Sequence, residues 1–281
     1  MNDKSLYKTE AGRAAVLNHY DLLLAQCSVP YEELKILTRY GQTYIIASGD
    51  KSLPPLILLH GSGSNSSMWL GDMAQYSKHY RVFAVDIPGD AGKSEEKRYS
   101  LKSSAYSEWI DDILSSLQLQ KSSFIGISLG AWMVIHFAVN HSAKVDKIVL
   151  ISPSGIGSEK TSFMFKAMPL LLLSEKGRDI VTRLVNGNQS IPEQAAKNVK
   201  LIARHFHFRK EPVPIFTDYE LRRLTMPVMF IAGEKDVMLH SKKSEERLTR
   251  LLPDAKVNLL PDAGHVLLHL TSRILPFLLS Q

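Results

Sequence analysis

Ser128 lies in the run S-S-F-I-G-I-S-L-G-A-W-M, flanked by Gly126 and Gly130 in the spacing G-x-S-x-G. A short apolar run precedes it and a helix-sized segment follows it. A sharp strand-to-helix turn at this spacing holds the central serine in a strained backbone conformation, and flanking side chains larger than hydrogen would collide. The same turn aims backbone N–H groups and the positive end of the following helix at the place where negative charge would develop. That is the equipment of a nucleophilic serine, which needs a base and an acid to orient the base. The pattern is short, however, and an ordinary turn would satisfy it as well. A second glycine-containing run, D-I-P-G-D-A-G-K-S (Asp86 to Ser94), ends like a phosphate loop in Gly92-Lys93-Ser94. A phosphate loop needs glycine five places before Gly92, where Ile87 stands, so ATP or GTP binding is excluded. The glycines beside Ser128 serve the turn, which leaves no dinucleotide fingerprint to argue for NAD.

The elements that must present these residues are legible as alternating apolar and amphipathic text. Continuous apolar runs at Leu56 to Leu59, Val82 to Val85, Phe124 to Ile125, Ile148 to Ile151 and Val228 to Ala232 predict strands covered on both faces. Helix-sized segments lie between them: Met68 to Ser77, Ser103 to Leu117, Gly130 to Asn140 and Ser241 to Leu252. This order predicts an α/β chain with a mostly parallel sheet and helices on both sides. Lys35 to Tyr40 and Gln42 to Ala47 meet at Gly41 as an antiparallel entry. Residues 5 to 26 read as a helical leader that packs on the outside of the domain or on a partner, a homodimer contact being one option. From about Ser158 to Arg223 the alternation gives way to helical text, which would cover one edge of the sheet like a lid.

At these residues the chain resembles the α/β-hydrolase family, from about Lys35 to the carboxyl end. The resemblance implies an eight-stranded, mostly parallel α/β-hydrolase sheet with a helical lid. The organisation is then a leader (1–30), a core (31–157 and 224–281) and a lid (158–223). The run H-G-S-G-S-N-S-S-M-W after Leu59 is similar to the family's oxyanion loop. By that match the N–H groups of Ser62 and Leu129 form the oxyanion hole, while His60 and Gly61 shape the loop. In P-D-A-G-H-V-L-L-H, His265 stands in a glycine-containing loop after a predicted strand, Lys256 to Leu260, and at the start of the last helix, where the family keeps its catalytic histidine. His269, one helical turn on, reads as buried support or surface. In M-F-I-A-G-E-K-D-V-M, Asp236 takes the family's G-x-x-D position for the acid, with Glu234 as runner-up. The chain order Ser128, Asp236, His265 is the order of this fold. Some members carry the acid one strand earlier, but here that strand ends I-S-P-S-G-I-G without a carboxylate. Asp86 to Ser94 is similar to the family's D-x-P-G-x-G-x-S turn, with one additional residue between the two glycines.

Composition narrows the function classes. The chain has 281 residues, 44% hydrophobic and 22% charged, with 34 Lys plus Arg against 28 Asp plus Glu. That length and balance suit one large globular domain and exclude overall disorder. The surplus of six positive charges is mild and its densest stretch, Arg204 to Lys210, is short and mixed with aromatics, so no nucleic-acid partner is expected. The single cysteine, Cys27, forbids an intrachain disulfide and leaves no cluster for zinc or iron-sulfur, so neither metal nor cofactor is expected. No run approaches the roughly 20 apolar residues of a membrane span, and the amino-terminal text lacks a secretory pattern. A cytoplasmic protein with no membrane partner is the expectation.

The leading expectation is a cofactor-independent serine hydrolase cleaving small to medium apolar carboxylic esters. Ser128 would attack, His265 would take the proton and Asp236 would orient the imidazole. An imidazole base must be neutral to work, so turnover should fall under acidic conditions. Trp69 and Trp132 line a pocket or belong to the core. Phe163, Met164, Phe165 and Leu170 to Leu173 in the lid form an acyl pocket or the lid's own packing. The same fold and triad also serve carbon-carbon bond hydrolases, lactonases, amidases and haloperoxidases, and a slow ligand-sensing protein on the same scaffold is a reading of another class.

Overall fold

The computed structural model describes residues 5–160, 175–185 and 192–280. Eight strands make one sheet: β1 (Glu32–Thr38), β2 (Gly41–Ser48), β3 (Pro55–Leu59), β4 (Arg81–Val85), β5 (Ser122–Ile127), β6 (Val145–Ile151), β7 (Val228–Gly233) and β8 (Lys256–Leu260). Their order is β1-β2-β4-β3-β5-β6-β7-β8. β2 runs antiparallel to β1 and β4, and every other pair is parallel. The hairpin between β1 and β2 turns at Gly41, whose φ of 95° suits glycine.

The described helices are α1 (Glu10–Ala25), α2 (Leu70–Tyr76, entered through a 3₁₀ turn at Ser66–Trp69), α3 (Ala105–Ser116), α4 (Leu129–Asn140), α5 (Glu175–Val185), α6 (Glu193–His205), α7 (Asp218–Leu221), α8 (Ser241–Leu251) and α9 (Thr271–Leu279). The expected strands and interior helices are all present, with ends shifted by a few residues. The leader helix starts at Glu10 rather than near residue 5, because the Thr9 hydroxyl caps it by accepting the Gly12 N–H at 3.0 Å. The last helix begins at Thr271, so His265 does not stand at its start. Residues 265–270 are not helical, and His269 adopts φ 57°, a left-handed conformation that no helix continues through. His269 itself is exposed. The lid residues Phe163, Met164, Phe165 and Leu170 to Leu173 lie outside the described residues.

Period-two alternation along the central strands explains the two apolar layers. On β3, Ile57 and Leu59 pack with Trp109, Trp132, Phe137 and Phe230 on one face. Leu56 and Leu58 pack with Tyr20, Trp69, Met73 and Ile274 on the other. The leader is tied down as well. Leu6, Tyr7 and Val16 form a small cluster with Ala91, Ile202 and Phe206, which places the leader segment against α6. Main-chain bonds from Lys8 N–H to the His205 carbonyl and from His207 N–H to the Leu6 carbonyl, both 2.8 Å, close that seam.

The strand order sets up the site. β3 and β5 are neighbours although β4 separates them in sequence, with Leu59 opposite Gly126. The connections leaving β3 and β5 therefore open a crevice at the carboxyl edge of the sheet. The approach is tight. A Cβ on Gly126 would lie 2.6 Å from the main chain of Ala131, and one on Gly130 would lie 2.5 Å from the carbonyl oxygens of Leu59 and His60. Backbone cannot yield as a flexible side chain does. Gly130→Ala is therefore expected to destabilise the fold by about 1–3 kcal/mol in urea unfolding, the usual cost of overpacking, or to abolish soluble expression. An unchanged unfolding midpoint would contradict the packing.

Candidate active site

Ser128 follows the last residue of β5 with φ 51° and ψ −109°, a conformation that costs a non-glycine residue free energy. The surroundings hold it there. Its N–H donates to the Ile151 carbonyl of β6 at 2.9 Å, and its carbonyl accepts the N–H groups of Trp132 at 3.0 Å and Ser154 at 3.3 Å. With its main chain pinned on both sides, the hydroxyl is turned toward the loop that follows β8.

That loop carries His265, 7% exposed, whose Nε2 lies 3.2 Å from Ser128 Oγ. Its Nδ1 lies 2.8 Å from Asp236 Oδ2. Asp236 comes three residues after β7 and is fully buried. Its second oxygen, Oδ1, accepts the N–H groups of Met238 at 2.7 Å and Leu239 at 2.9 Å. A carboxylate satisfied by three N–H donors is a stable acceptor even when buried. It assigns the proton to Nδ1 of His265 and leaves Nε2 as the acceptor facing the serine hydroxyl. Glu234, the alternative acid, is exposed and uses its N–H on the Leu260 carbonyl.

The loop after β3 passes beside the serine. A Cβ on Gly61 would lie 3.7 Å from Ser128 Cβ. Among the described residues the Ser62 N–H has no acceptor, and Leu129 is the first residue of α4, where an N–H lacks an intrahelical partner. His60 is fully buried and supports this loop rather than facing the serine. Its Nδ1 donates to the Gly61 carbonyl at 2.8 Å and its Nε2 accepts the Ile87 N–H at 2.9 Å.

A nucleophile, an imidazole and a carboxylate in hydrogen-bonded series, beside free N–H groups, are the parts of acyl transfer through a serine. A model of the alpha/beta hydrolase family matches residues 56–273. The chain belongs to the alpha/beta hydrolase family. This hydrolase is 30% identical over 274 residues to carboxylesterase YbfK from Bacillus subtilis (strain 168), an alignment covering 92% of each chain. The crystal structure of naproxen esterase (carboxylesterase NP) from Bacillus subtilis superposes with a TM-score of 0.86 at 28% identity, covering 96% of the hydrolase and 99% of that chain. A meta-cleavage product hydrolase from Pseudomonas fluorescens IP01 shares the fold, with a TM-score of 0.72 at 22% identity over 87% of this chain and 95% of that one.

Both candidate pocket tryptophans are buried in the apolar layers. Trp132 is stacked on His136 and Phe216 and donates its indole N–H to the Pro214 carbonyl at 2.9 Å. Two groups with no sequence signature complete the histidine's support. The Ser152 hydroxyl, buried just after β6, donates to the His265 carbonyl at 2.8 Å, and the Val185 carbonyl at the end of α5 accepts the His265 N–H at 2.9 Å. Ser152 is also left-handed, with φ 42°. Ser152→Ala is expected to cost about 1–3 kcal/mol in urea unfolding, because a buried carbonyl loses its donor. Ser152→Gly should be about 1 kcal/mol more stable than Ser152→Ala, since glycine relieves the left-handed backbone. Equal stability of the two variants would remove the strain argument.

Proposed function

We propose that Ser128, His265 and Asp236 form a catalytic triad that cleaves carboxylic esters of small to medium apolar substrates. The observation that carries this reading is the linear series Asp236–His265–Ser128, joined at 2.8 and 3.2 Å at the strained end of β5. The protein is an ester-cleaving serine hydrolase. Ser128 Oγ adds to the ester carbonyl as His265 Nε2 takes its proton. The N–H groups of Ser62 and Leu129 receive the developing oxyanion. Collapse expels the alcohol, which leaves with the proton from His265, and the acyl group stays on Ser128. Water then adds to the acyl carbonyl by the same route, releasing the acid and restoring the hydroxyl.

Asp236 orients the imidazole and stabilises its protonated form. The described parts of the segment 158–223, α5 and α6 among them, serve as the cap over this centre. An apolar substrate suits the exposed apolar side chains near it. Ile180 and Leu184 lie on α5, whose carboxyl-terminal carbonyl holds the histidine loop, and Phe208 lies against Gly63 beside Ser62. These surfaces offer dispersion and desolvation to an acyl chain or ring rather than charge.

Two measurements test the reading. Ser128→Ala should lose at least ~10³-fold in kcat on a p-nitrophenyl ester, with its melting temperature nearly unchanged, and should lose labelling by a fluorophosphonate probe. Full turnover by that variant would end the proposal. Across p-nitrophenyl esters of increasing chain length, kcat/KM should rise with apolar acyl length and then fall once the pocket is filled. Preference for vinylogous diketones over every ester would overturn the assignment of the bond.

A further inference from the structure

Four hydrogen bonds lace the loop after β3 to the loop after β4. His60 Nε2 accepts the Ile87 N–H at 2.9 Å, and Asp86 Oδ1 accepts the Ser66 N–H at 2.7 Å. Asp90 Oδ1 accepts the Gly63 N–H at 2.7 Å, and the Ala91 carbonyl accepts from Asn65 Nδ2 at 2.8 Å. Asp90 and Ala91 fill the place where the D-x-P-G-x-G-x-S pattern has one residue. The added length of this loop therefore supplies two of the four ties.

Asp90 is an expensive residue to keep there. It is 5% exposed, and burial pushes its carboxyl above the ordinary carboxylate range, against the opposing pull of the Gly63 N–H, Arg209 and Arg98. A buried charge is tolerated where its bonding is specific. What it bonds is the peptide unit next to the proposed oxyanion donor. The Ser62 N–H shares a peptide plane with the Gly61 carbonyl, which His60 Nδ1 holds at 2.8 Å. The next plane runs from the Ser62 carbonyl to the Gly63 N–H, and Asp90 holds that one. Gly63, at φ 65°, has the Phe208 ring against it where a Cβ would point.

We propose that Asp90 is a positioning residue for the oxyanion hole: its bond to the Gly63 N–H sets the backbone at Ser62 so that the Ser62 N–H faces the carbonyl attacked by Ser128. The proposal rests on the reading of Ser128 and Ser62 given above. Asp90 touches neither substrate nor the reacting atoms. Its effect is confined to the transition state, because an oxyanion donor is used most when the charge has formed.

The test compares Asp90→Ala and Asp90→Asn with the unmutated enzyme, all normalised to sites titrated by a fluorophosphonate. Asp90→Ala should lose about 10²-fold in kcat with KM within about twofold, as expected for a displaced donor. Its affinity for a trifluoromethyl ketone should fall by a similar factor. Asp90→Asn keeps an oxygen acceptor for Gly63 and should recover kcat to within about tenfold of the unmutated enzyme. A kcat within threefold of the unmutated value in Asp90→Ala would overturn the proposal, as would an Asp90→Asn variant no better than Asp90→Ala. A fall in titratable sites with unchanged kcat per site would mean a purely structural role and would overturn it too. Hydrogen exchange on the unmutated enzyme needs no variant to fold: the Gly63 amide should be protected, and rapid exchange would overturn the proposal. Failure of the fluorophosphonate to label Ser128 in the unmutated enzyme would instead strike the reading of the triad.

Discussion

The backbone at Ser128 is the constraint around which the site is built. A serine held at φ 51° and ψ −109° stores of the order of 1–3 kcal/mol of conformational strain, and it persists only where its surroundings leave no alternative. Here the Ile151 carbonyl takes its N–H, α4 begins directly after it, and main chain crowds Gly126 and Gly130 from β3 and from α4 itself. Relaxing the serine would break the bond to β6 and push α4 off β3. The strain is therefore offset by the packing of the central sheet, whose strands β3, β5 and β6 are among the most buried parts of the chain.

From that point the sheet delivers everything else to one edge. β5 lies between β3 and β6, β7 is beside β6, and β8 beside β7. Ser128, Asp236 and His265, the proposed nucleophile, acid and base, thus leave three different strands on the same side, each within a few residues of a strand end. Short connections matter because a side chain three to five residues beyond a strand inherits the strand's rigidity. The buried acid depends on this rigidity. Asp236 is tolerable only because three N–H donors reach it, two from its own turn and one from His265. His265 in turn has its N–H taken by Val185 and its carbonyl bonded by Ser152.

The described parts of the segment between β6 and β7 are bonded into this centre at several places. The carboxyl end of α5 holds the histidine loop, Asn198 on α6 donates to Ser67 beyond the loop after β3 at 3.3 Å, and Phe208 lies on Gly63. The leader packs against α6 through Tyr7, Val16 and Phe206, with the Tyr7 and Phe206 rings edge to face at 5.4 Å. A displacement of α5 or α6 would therefore be felt at His265 and at the loop after β3.

Much of the fold was legible in the residues. The continuous apolar runs of β3, β4 and β7 have the signature of strands buried on both faces, because a parallel sheet under two helical layers leaves no face for polar residues. The G-x-S-x-G spacing carries its own mechanical reason, and the order Ser128, Asp236, His265 follows from the fold that the motifs resemble. The start of the last helix was misread, because an apolar run after His265 has no local mark of the left-handed backbone at His269. The extra residue before Ala91 was visible as a departure from a pattern, but not as a tie to Gly63.

Sequence alone determined which residues are chemically able and where most strands and helices run, since side-chain type and periodicity are local properties. The tertiary structure decided which of them meet. It set Leu59 opposite Gly126, brought Asp90 to Gly63, and turned the Ser152 hydroxyl and the Val185 carbonyl onto the two ends of the His265 peptide. Contacts of that kind are made by backbone carbonyls and N–H groups that every residue possesses, so their positions depend on the path of the whole chain rather than on any residue's identity.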